Sequence, residues 1–97
     1  MNIVWREQAE ADLDALTDYI AKDNPQAALH VYDTILAAVD RLASFPTLGR
    51  DGRVERTREL IISAFPYIVV YTIIREEIQI LAIQHASRKW PTKFPTD

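Results

Sequence analysis

The stretch LGRDGRVERTRELIISAFPYIVVYTIIREEIQILAIQHASRKW, residues 48–90, decides the fold of this chain. It begins with a run of arginines punctuated by two glycines: Arg50, Arg53, Arg56 and Arg58. Three apolar segments with short breaks follow, at residues 60–64, 67–74 and 78–84. A small polar cluster then closes the stretch: His85, Arg88, Lys89 and Trp90. This pattern predicts a cationic run that leads into antiparallel strands, with the residues before it acting as helical support.

The apolar segments predict three strands, which we place at Arg58–Ser63, Tyr67–Arg75 and Ile78–His85. Pro66 separates the first two strands, and the acidic pair Glu76-Glu77 separates the last two. Residues 46–56 hold both glycines of the chain and are predicted to form a loop with at least one turn. The strands are apolar on both faces for most of their length, so both sides of the sheet should be covered. Helices would cover one side, and a protein partner or a covering tail would cover the other.

Residues 2–45 predict a short strand and two helices. Asn2–Trp5 is apolar and reads as a strand, and apolar residues then recur at helical spacing: Ala9, Leu13, Leu16 and Ile20. Asn24-Pro25 restarts the pattern, because asparagine can cap a helix and proline fits its first position. The second stripe ends near Ser44, since the residue before Pro46 is pushed away from helical geometry. The two helices should form an antiparallel hairpin.

Length and composition predict a single domain spanning residues 1–97. The chain has no cysteine, which excludes disulfides and thiolate metal sites and fits a cytoplasmic location. No apolar run approaches the roughly 20 residues of a membrane helix. His30 and His85 are remote from each other and have no accompanying metal-ligand motif, so we expect neither a metal nor a cofactor.

The net charge of −3 hides an asymmetry between the two halves. Residues 1–48 carry three basic and eight acidic side chains, whereas residues 49–97 carry eight basic and six acidic ones. The positive charge therefore belongs to the predicted sheet. A cationic face on an acidic protein indicates an anionic partner.

The order strand, helical hairpin, three antiparallel strands resembles the RelE/ParE superfamily of toxins from bacterial type II toxin–antitoxin systems. Local signatures agree over nearly the whole chain: AEADLDALTDYIAKDNPQAA at residues 9–28, LASFPTLGR at 42–50, RELIISAFPYIVVYTI at 58–73 and ILAIQHASRKWP at 80–91. The long hairpin and its FPTLGR exit look more like ParE than RelE. The resemblance implies an α+β fold, β-α-α-β-β-β, with a short N-terminal strand, an antiparallel helical hairpin and a three-stranded antiparallel sheet.

The resemblance also implies a function and partners. RelE-like members cleave mRNA on the ribosome, some ParE-like members poison DNA gyrase, and both are neutralised by an antitoxin encoded beside them. We therefore expect a cognate antitoxin as a partner, with gyrase or ribosome-bound mRNA as the target. An apolar sheet face fits an antitoxin that folds on binding, and it would equally fit a second copy of the chain.

Metal-free RNA cleavage needs a base, a group that stabilises charge on the phosphorane, and an acid for the leaving oxygen. Arg58, Arg75 and His85 resemble the polar set of RelE-like nucleases, and Glu59 is a candidate base in the same block. Several of those nucleases carry a tyrosine or another polar residue just after the histidine. Ala86 stands there in this chain, which favours the ParE-like side.

Six further residues are candidates for binding the target or nucleic acid: Arg50, Arg53, Arg56, Arg88, Lys89 and Trp90. Each candidate also has an ordinary structural interpretation. Loop arginines are commonly solvated, Arg58 can keep a strand edge soluble and Arg75 can be a hairpin-end charge. Glu59 would then be half exposed, His85 a packing residue, and Trp90 a side chain that packs the tail onto the sheet.

Three hypotheses follow, in order of preference. The first is a ParE-like toxin that arrests growth by binding a macromolecule such as DNA gyrase. The second is a RelE-like, ribosome-dependent and metal-independent endoribonuclease that uses Arg58, Arg75 and His85. The third is a non-toxic binding module that keeps the fold only for complex formation.

Overall fold

The computed structural model describes residues 1–96, which form one sheet with a helical hairpin packed against it. The helices are α1 (Glu7–Ala21) and α2 (Pro25–Asp40), followed by the 3₁₀ turn Arg41–Ala43. The strands are β1 (Asn2–Trp5), β2 (Arg50–Asp51), β3 (Arg58–Ile61), β4 (Tyr67–Ile74) and β5 (Glu77–His85). The predicted α+β architecture is confirmed.

The helical hairpin turns where the sequence predicts it. The Asn24 side chain accepts a hydrogen bond from the Ala27 backbone N–H at 3.0 Å, and Pro25 occupies the first turn of α2. This cap satisfies one of the backbone donors that a helix start leaves without a partner. The α-helix ends at Asp40 rather than near Ser44, because the chain tightens into the 3₁₀ turn before Pro46.

The sheet has five strands in the order β1-β5-β4-β3-β2, rather than a three-stranded sheet with a separate N-terminal strand. Strand β1 lies parallel to β5, with Asn2 opposite Glu77, and the other neighbours are antiparallel. Strand β2 lies inside the predicted loop and pairs with β3 over two residues. Its residues, Arg50 and Asp51, are both charged and exposed, so the sequence has no apolar alternation that would predict this strand.

The two faces of the sheet differ in what covers them. Val69 and Tyr71 on β4 pack into the core below the helices, together with Ile35, Leu42, Ile78 and Ile80. Val70, between them, faces the other way and lies in a smaller cluster with Leu81 and Ala82. Trp90 and Phe94 of the tail (residues 86–96) pack on this cluster, so the predicted covering tail is confirmed.

A β-bulge lies in the strand pair beneath that tail. Val70 pairs with Ala82 and Tyr71 with Ile80, which leaves Leu81 without a partner residue of its own on β4. A bulge of this kind interrupts the strict alternation of a strand. Leu81 and Ala82 therefore lie in the same cluster, and together with Val70 they form the apolar platform under Trp90. No helix within residues 1–96 has the length and apolar content needed to cross a membrane.

Candidate functional site

A buried carboxylate lies at the centre of the arginine run. The Glu59 side chain on β3 is only 1% exposed, so the prediction that it is half exposed was wrong. Arg50 donates to its Oε1 through Nε at 3.2 Å and Nη2 at 2.8 Å. Arg53 donates to Oε2 from its backbone N at 2.8 Å and from Nε at 3.0 Å, and to Oε1 from Nη2 at 3.2 Å. One carboxylate thus fixes two of the four arginines.

These contacts also decide the protonation state of Glu59. Burial by itself raises the pKa of the carboxyl, because it disfavours the charged form. The side-chain and backbone hydrogen bonds from Arg53, followed by that from Arg50, outweigh burial and lower the pKa from 4.5 to about 2. A carboxylate that binds protons so weakly is a poor general base near neutral pH. Glu59 is therefore a structural anchor for the two arginines.

Arg58 holds the segment that leads from the helices to the sheet. Its guanidinium donates to the carbonyl oxygens of Gly49 at 3.0 Å and Thr47 at 3.3 Å, and it contacts Asp51 Oδ1 at 3.3 Å. The side chain is 27% exposed. Three acceptors already occupy this fork, so Arg58 supports the FPTLGR segment more than it presents a free cation.

Tyr71 fixes the same segment from below. Its buried hydroxyl donates to the Pro46 carbonyl at 2.7 Å and accepts from the Gly49 N–H at 2.9 Å. A Cβ at position 49 would lie 2.7 Å from the tyrosine ring and 2.9 Å from the Glu59 carbonyl oxygen. Residue 49 must therefore be glycine for the chain to approach this closely. The segment enters β2 in a fixed position, which places Arg50 next to Glu59.

Arg53 joins the network to the tail. The guanidinium carbon of Arg53 lies 3.6 Å from the centroid of the Trp90 ring, a cation–π geometry. The Trp90 Nε1–H donates to the His85 carbonyl at 3.2 Å. Four of the six predicted binding residues lie on or beside this tail: Arg53, Trp90, Arg88 and Lys89. The side chains of Arg88 and Lys89 are exposed and have no polar partner among residues 1–96.

Arg56 lies apart from Glu59. Its backbone has a φ of 64°, and its carbonyl accepts a hydrogen bond from the Thr72 hydroxyl at 2.8 Å. The side chain is exposed at a cleft of about 600 Å³, which Arg58, Thr72 and Thr96 also line. This residue is the member of the arginine run that no carboxylate within residues 1–96 neutralises.

The three predicted catalytic residues are not brought together. Arg58 pairs with Tyr71 and His85 with Tyr67, four residues apart on β4, which is roughly 13 Å along a strand. Arg75 forms the tight β4–β5 turn with Glu76, with φ values of 51° and 63°. Since β5 runs from Glu77 to His85, this turn is roughly 26 Å from the histidine. Arg75 is thus a hairpin residue at the opposite end of the sheet.

His85 instead lines a cleft of about 590 Å³ between α1 and the end of β5. Tyr19, Tyr67 and Arg88 line the same cleft. The His85 Nδ1 accepts a hydrogen bond from the Ser87 backbone N–H at 3.2 Å, which leaves Nε2 to carry the proton of the neutral ring. Asp12 also lies here, but its Oδ2 accepts from the Ile83 N–H at 2.9 Å and its Oδ1 from Gln8 at 2.8 Å.

Comparison with known proteins places this architecture in a family. Residues 3–90 match the model of the ParE toxin of type II toxin–antitoxin systems, parDE. The chain belongs to the ParE toxin family. A solved structure of the chromosomal ParDE system from P. aeruginosa superposes with a TM-score of 0.81 and 30% identity, covering 90% of this chain and 97% of that one.

Two curated relatives carry toxin names as well. The chain is 45% identical over 89 residues to Y4kP of Sinorhizobium fredii, whose name classes it as a candidate toxin, with 92% of each chain covered. It is 36% identical over 86 residues to toxin RelE2 of Caulobacter vibrioides, covering 89% of this chain and 96% of the relative. The prediction that the chain is a ParE-like member of the superfamily is therefore confirmed. One of the two relatives nevertheless bears the RelE name.

Sequence reasoning missed several residues that shape this ParE-type site. Tyr71 lies in a strand that the sequence predicts, but its role as a clamp on Pro46 and Gly49 was not foreseen. A tyrosine inside an apolar strand is a usable signal, because a buried hydroxyl needs a partner. Glu59 offers a similar signal, because a carboxylate in a strand beside four arginines is more readily explained as a residue that binds arginines than as a base. Tyr19 carries no comparable signal, because its cleft forms only when α1 packs on β5.

Proposed function

We propose that this chain is a growth-arresting toxin that acts by binding a macromolecular target such as DNA gyrase, and that a cognate antitoxin neutralises it. The observation that carries this proposal is the cationic surface of the tail, where the exposed Arg88 and Lys89 precede Trp90 and Trp90 contacts Arg53 of the loop. Glu59 and the Trp90 contact fix the two loop arginines before any partner arrives. Such preorganisation lowers the cost of ordering side chains when a partner binds.

The separation of Arg58, Arg75 and His85 also favours binding over cleavage. General acid–base catalysis requires its groups within hydrogen-bond reach of one reacting centre. Two of the three residues lie at opposite ends of β5, and the nearby carboxylate is held in its charged form. Binding to a target needs no such convergence, only a surface of suitable charge and shape.

A supercoiling assay with purified gyrase tests the proposal. The chain in stoichiometric excess is expected to inhibit supercoiling. The double variant Arg88→Ala/Lys89→Ala should require at least roughly fivefold more protein, because exposed cations at a binding surface act on recognition and not on the fold. Lys22→Ala, an exposed cation at the end of α1, is the matched control and should act as the unmodified chain does. Full supercoiling at excess toxin would contradict a gyrase target.

A ribosome-dependent endoribonuclease is the second candidate, and the His85 cleft favours it. The Nε2–H of the ring can donate a hydrogen bond to a phosphate oxygen, and Arg88 on the same cleft supplies a phosphate-binding cation. The relative named RelE2 agrees with this candidate. Toe-printing after induction would then reveal new mRNA ends, which His85→Ala abolishes and Arg75→Ala leaves in place. Intact mRNA with unchanged translation would eliminate cleavage, and growth arrest itself would exclude a non-toxic binding module.

The open edge of the sheet supports an antitoxin site. Strand β2 covers only Arg58 and Glu59, while the Ile62 N–H donates to Tyr67 on the β4 side. Backbone groups alternate along an antiparallel strand, so those of Ile61 point to the outer edge. Ile61 is 52% exposed there, and Leu48 and Phe45, at 42% and 59%, are exposed on the segment before β2. An extended antitoxin segment can pair with such an edge while its apolar side chains cover the patch.

Ile61→Lys is expected to prevent rescue by the antitoxin encoded beside this chain, because a lysine at a strand edge opposes pairing. Growth on co-expression and co-purification of the pair would measure the effect. Tyr19→Lys is the matched control, since Tyr19 is also exposed, at 69%, but lies on α1, which packs against β5, three strands away from β2. Undiminished rescue of the Ile61 variant would remove this edge from the antitoxin interface.

A further inference from the structure

Three segments that are distant in sequence meet in one line of contacts. Glu59 lies on β3, Arg53 in the loop before it, and Trp90 in the tail. The carboxylate binds the guanidinium edge of Arg53, and the face of that guanidinium lies on the indole ring at 3.6 Å. The indole also packs on the apolar platform of Val70, Leu81 and Ala82. Trp90 thus contacts both the sheet and an arginine.

Glu59, the first residue in this line of contacts, is charged at physiological pH. Glu59 is 1% exposed, and the hydrogen bonds from Arg53 and Arg50 overcome burial to lower its pKa to about 2. Three donors of Arg53, its backbone N, Nε and Nη2, point at this one carboxylate. The orientation of the guanidinium plane is therefore set from below, which leaves its face free for the indole. Arginine suits this role because it can form hydrogen bonds at its edge and stack at the same time.

The tail has few other attachments. Trp90 and Phe94 pack on the platform, the Trp90 Nε1–H donates to the His85 carbonyl, and the Ala86 N–H donates to the Pro66 carbonyl at 2.8 Å. The cationic side chains of the tail, Arg88, Lys89 and Lys93, have no polar partner within residues 1–96. Removing the arginine from above Trp90 would take away one of a small number of contacts that hold this segment down.

We infer that Glu59 is a positioning residue for the tail: through Arg53 it clamps Trp90 onto the sheet and so fixes the segment that carries Arg88, Lys89 and Lys93. The tail opens and closes, and the Glu59–Arg53–Trp90 clamp sets the fraction of molecules in which it is open. Opening releases the segment that carries these three cations and exposes the apolar platform. The biological consequence rests on the proposed function, because it assumes that this cationic surface meets the target.

Limited proteolysis of the full chain measures tail opening directly. Trypsin can release residues 94–97 by cutting after Lys93, and when opening is fast the initial rate follows the open fraction. Arg53→Ala is expected to raise this rate roughly two- to fivefold, the effect of losing one exposed cation–π contact. Acrylamide quenching of Trp90, measured in a Trp5→Phe background so that one indole reports, should rise in parallel.

Arg50→Ala is the matched control, because Arg50 binds the same carboxylate without contact to Trp90. It should leave both readouts near those of the unmodified chain. Glu59→Gln should open the tail as Arg53→Ala does, and Arg53→Lys should restore less than full closure because lysine lacks the planar fork. Thermal unfolding of each variant separates tail opening from loss of the whole fold. If Glu59→Gln does not fold, Arg53→Ala on the surface still decides the question.

The outcomes separate the clamp from the function. Unchanged cleavage and quenching in Arg53→Ala would overturn the clamp, as would equal opening in Arg50→Ala. Opening in Arg53→Ala with undiminished growth arrest would support the clamp but contradict the use of this surface against the target. Opening together with weaker growth arrest in Glu59→Gln, which keeps every arginine, would support both, because Arg53→Ala also removes a cation from the proposed surface.

Discussion

Tyr71→Phe is expected to lower the free energy of unfolding by about 3 kcal/mol, from two hydrogen bonds lost at a buried site. The hydroxyl is the partner of the Pro46 carbonyl and of the buried Gly49 N–H. Phenylalanine keeps the ring packed but leaves the N–H without an acceptor inside the protein. Urea denaturation followed by circular dichroism measures the change.

Tyr67→Phe is the control for that experiment. Tyr67 begins the same strand and packs on the same core, but its hydroxyl has no hydrogen-bond partner within residues 1–96. Its loss should change stability by no more than about 0.5 kcal/mol. Equal destabilisation by the two substitutions would mean that the hydroxyl of Tyr71 does not hold the segment from Pro46 to Gly49.

Acidification is expected to remove about 3 kcal/mol of stability through Glu59 alone. Its pKa is lowered from 4.5 to about 2 in the folded protein. The stabilisation is therefore complete above pH 4.5 and is lost as the pH falls towards 2, because the unfolded chain binds this proton more readily. Glu59→Gln should have a flatter stability profile over this interval and a lower stability at pH 7, where the charged hydrogen bonds are absent.

The difference between the profiles of the unmodified chain and the glutamine variant isolates this residue, since other carboxylates contribute to both. Glu55→Gln serves as the matched control, because Glu55 is exposed and has no partner within residues 1–96. Parallel profiles for the unmodified chain and Glu59→Gln between pH 4.5 and 2 would contradict the assignment of a strongly acidic carboxyl.

The elements that the sequence predicts well depend on local chemistry. Asn24-Pro25 gives the start of α2 because the cap and the first helical position lie side by side in the chain. Pro66 and Glu76-Glu77 similarly separate the apolar runs that become β3, β4 and β5, with ends within two residues of prediction. The covering tail was predicted because one apolar face of the predicted sheet had no predicted helix to cover it.

The elements that were missed depend on pairing at a distance. Nothing near Asn2 indicates that it will lie beside Glu77, and nothing in Arg50-Asp51 has the apolar alternation of a strand. The bulge at Leu81 follows from the fit between β4 and β5 and not from either strand alone. The same limit applies to the site. The resemblance to RelE-like nucleases made Arg58, Arg75 and His85 a candidate catalytic set, whereas strand register separates them.

The most direct test of the central claim is induction of the chain alone in bacteria, with the rates of DNA synthesis and protein synthesis followed in parallel. A toxin that acts on gyrase is expected to stop DNA synthesis first and to raise the DNA-damage response, with Arg88→Ala/Lys89→Ala weakening both effects. Protein synthesis stopping first, with DNA synthesis initially intact, would contradict this account and favour the ribonuclease at the His85 cleft.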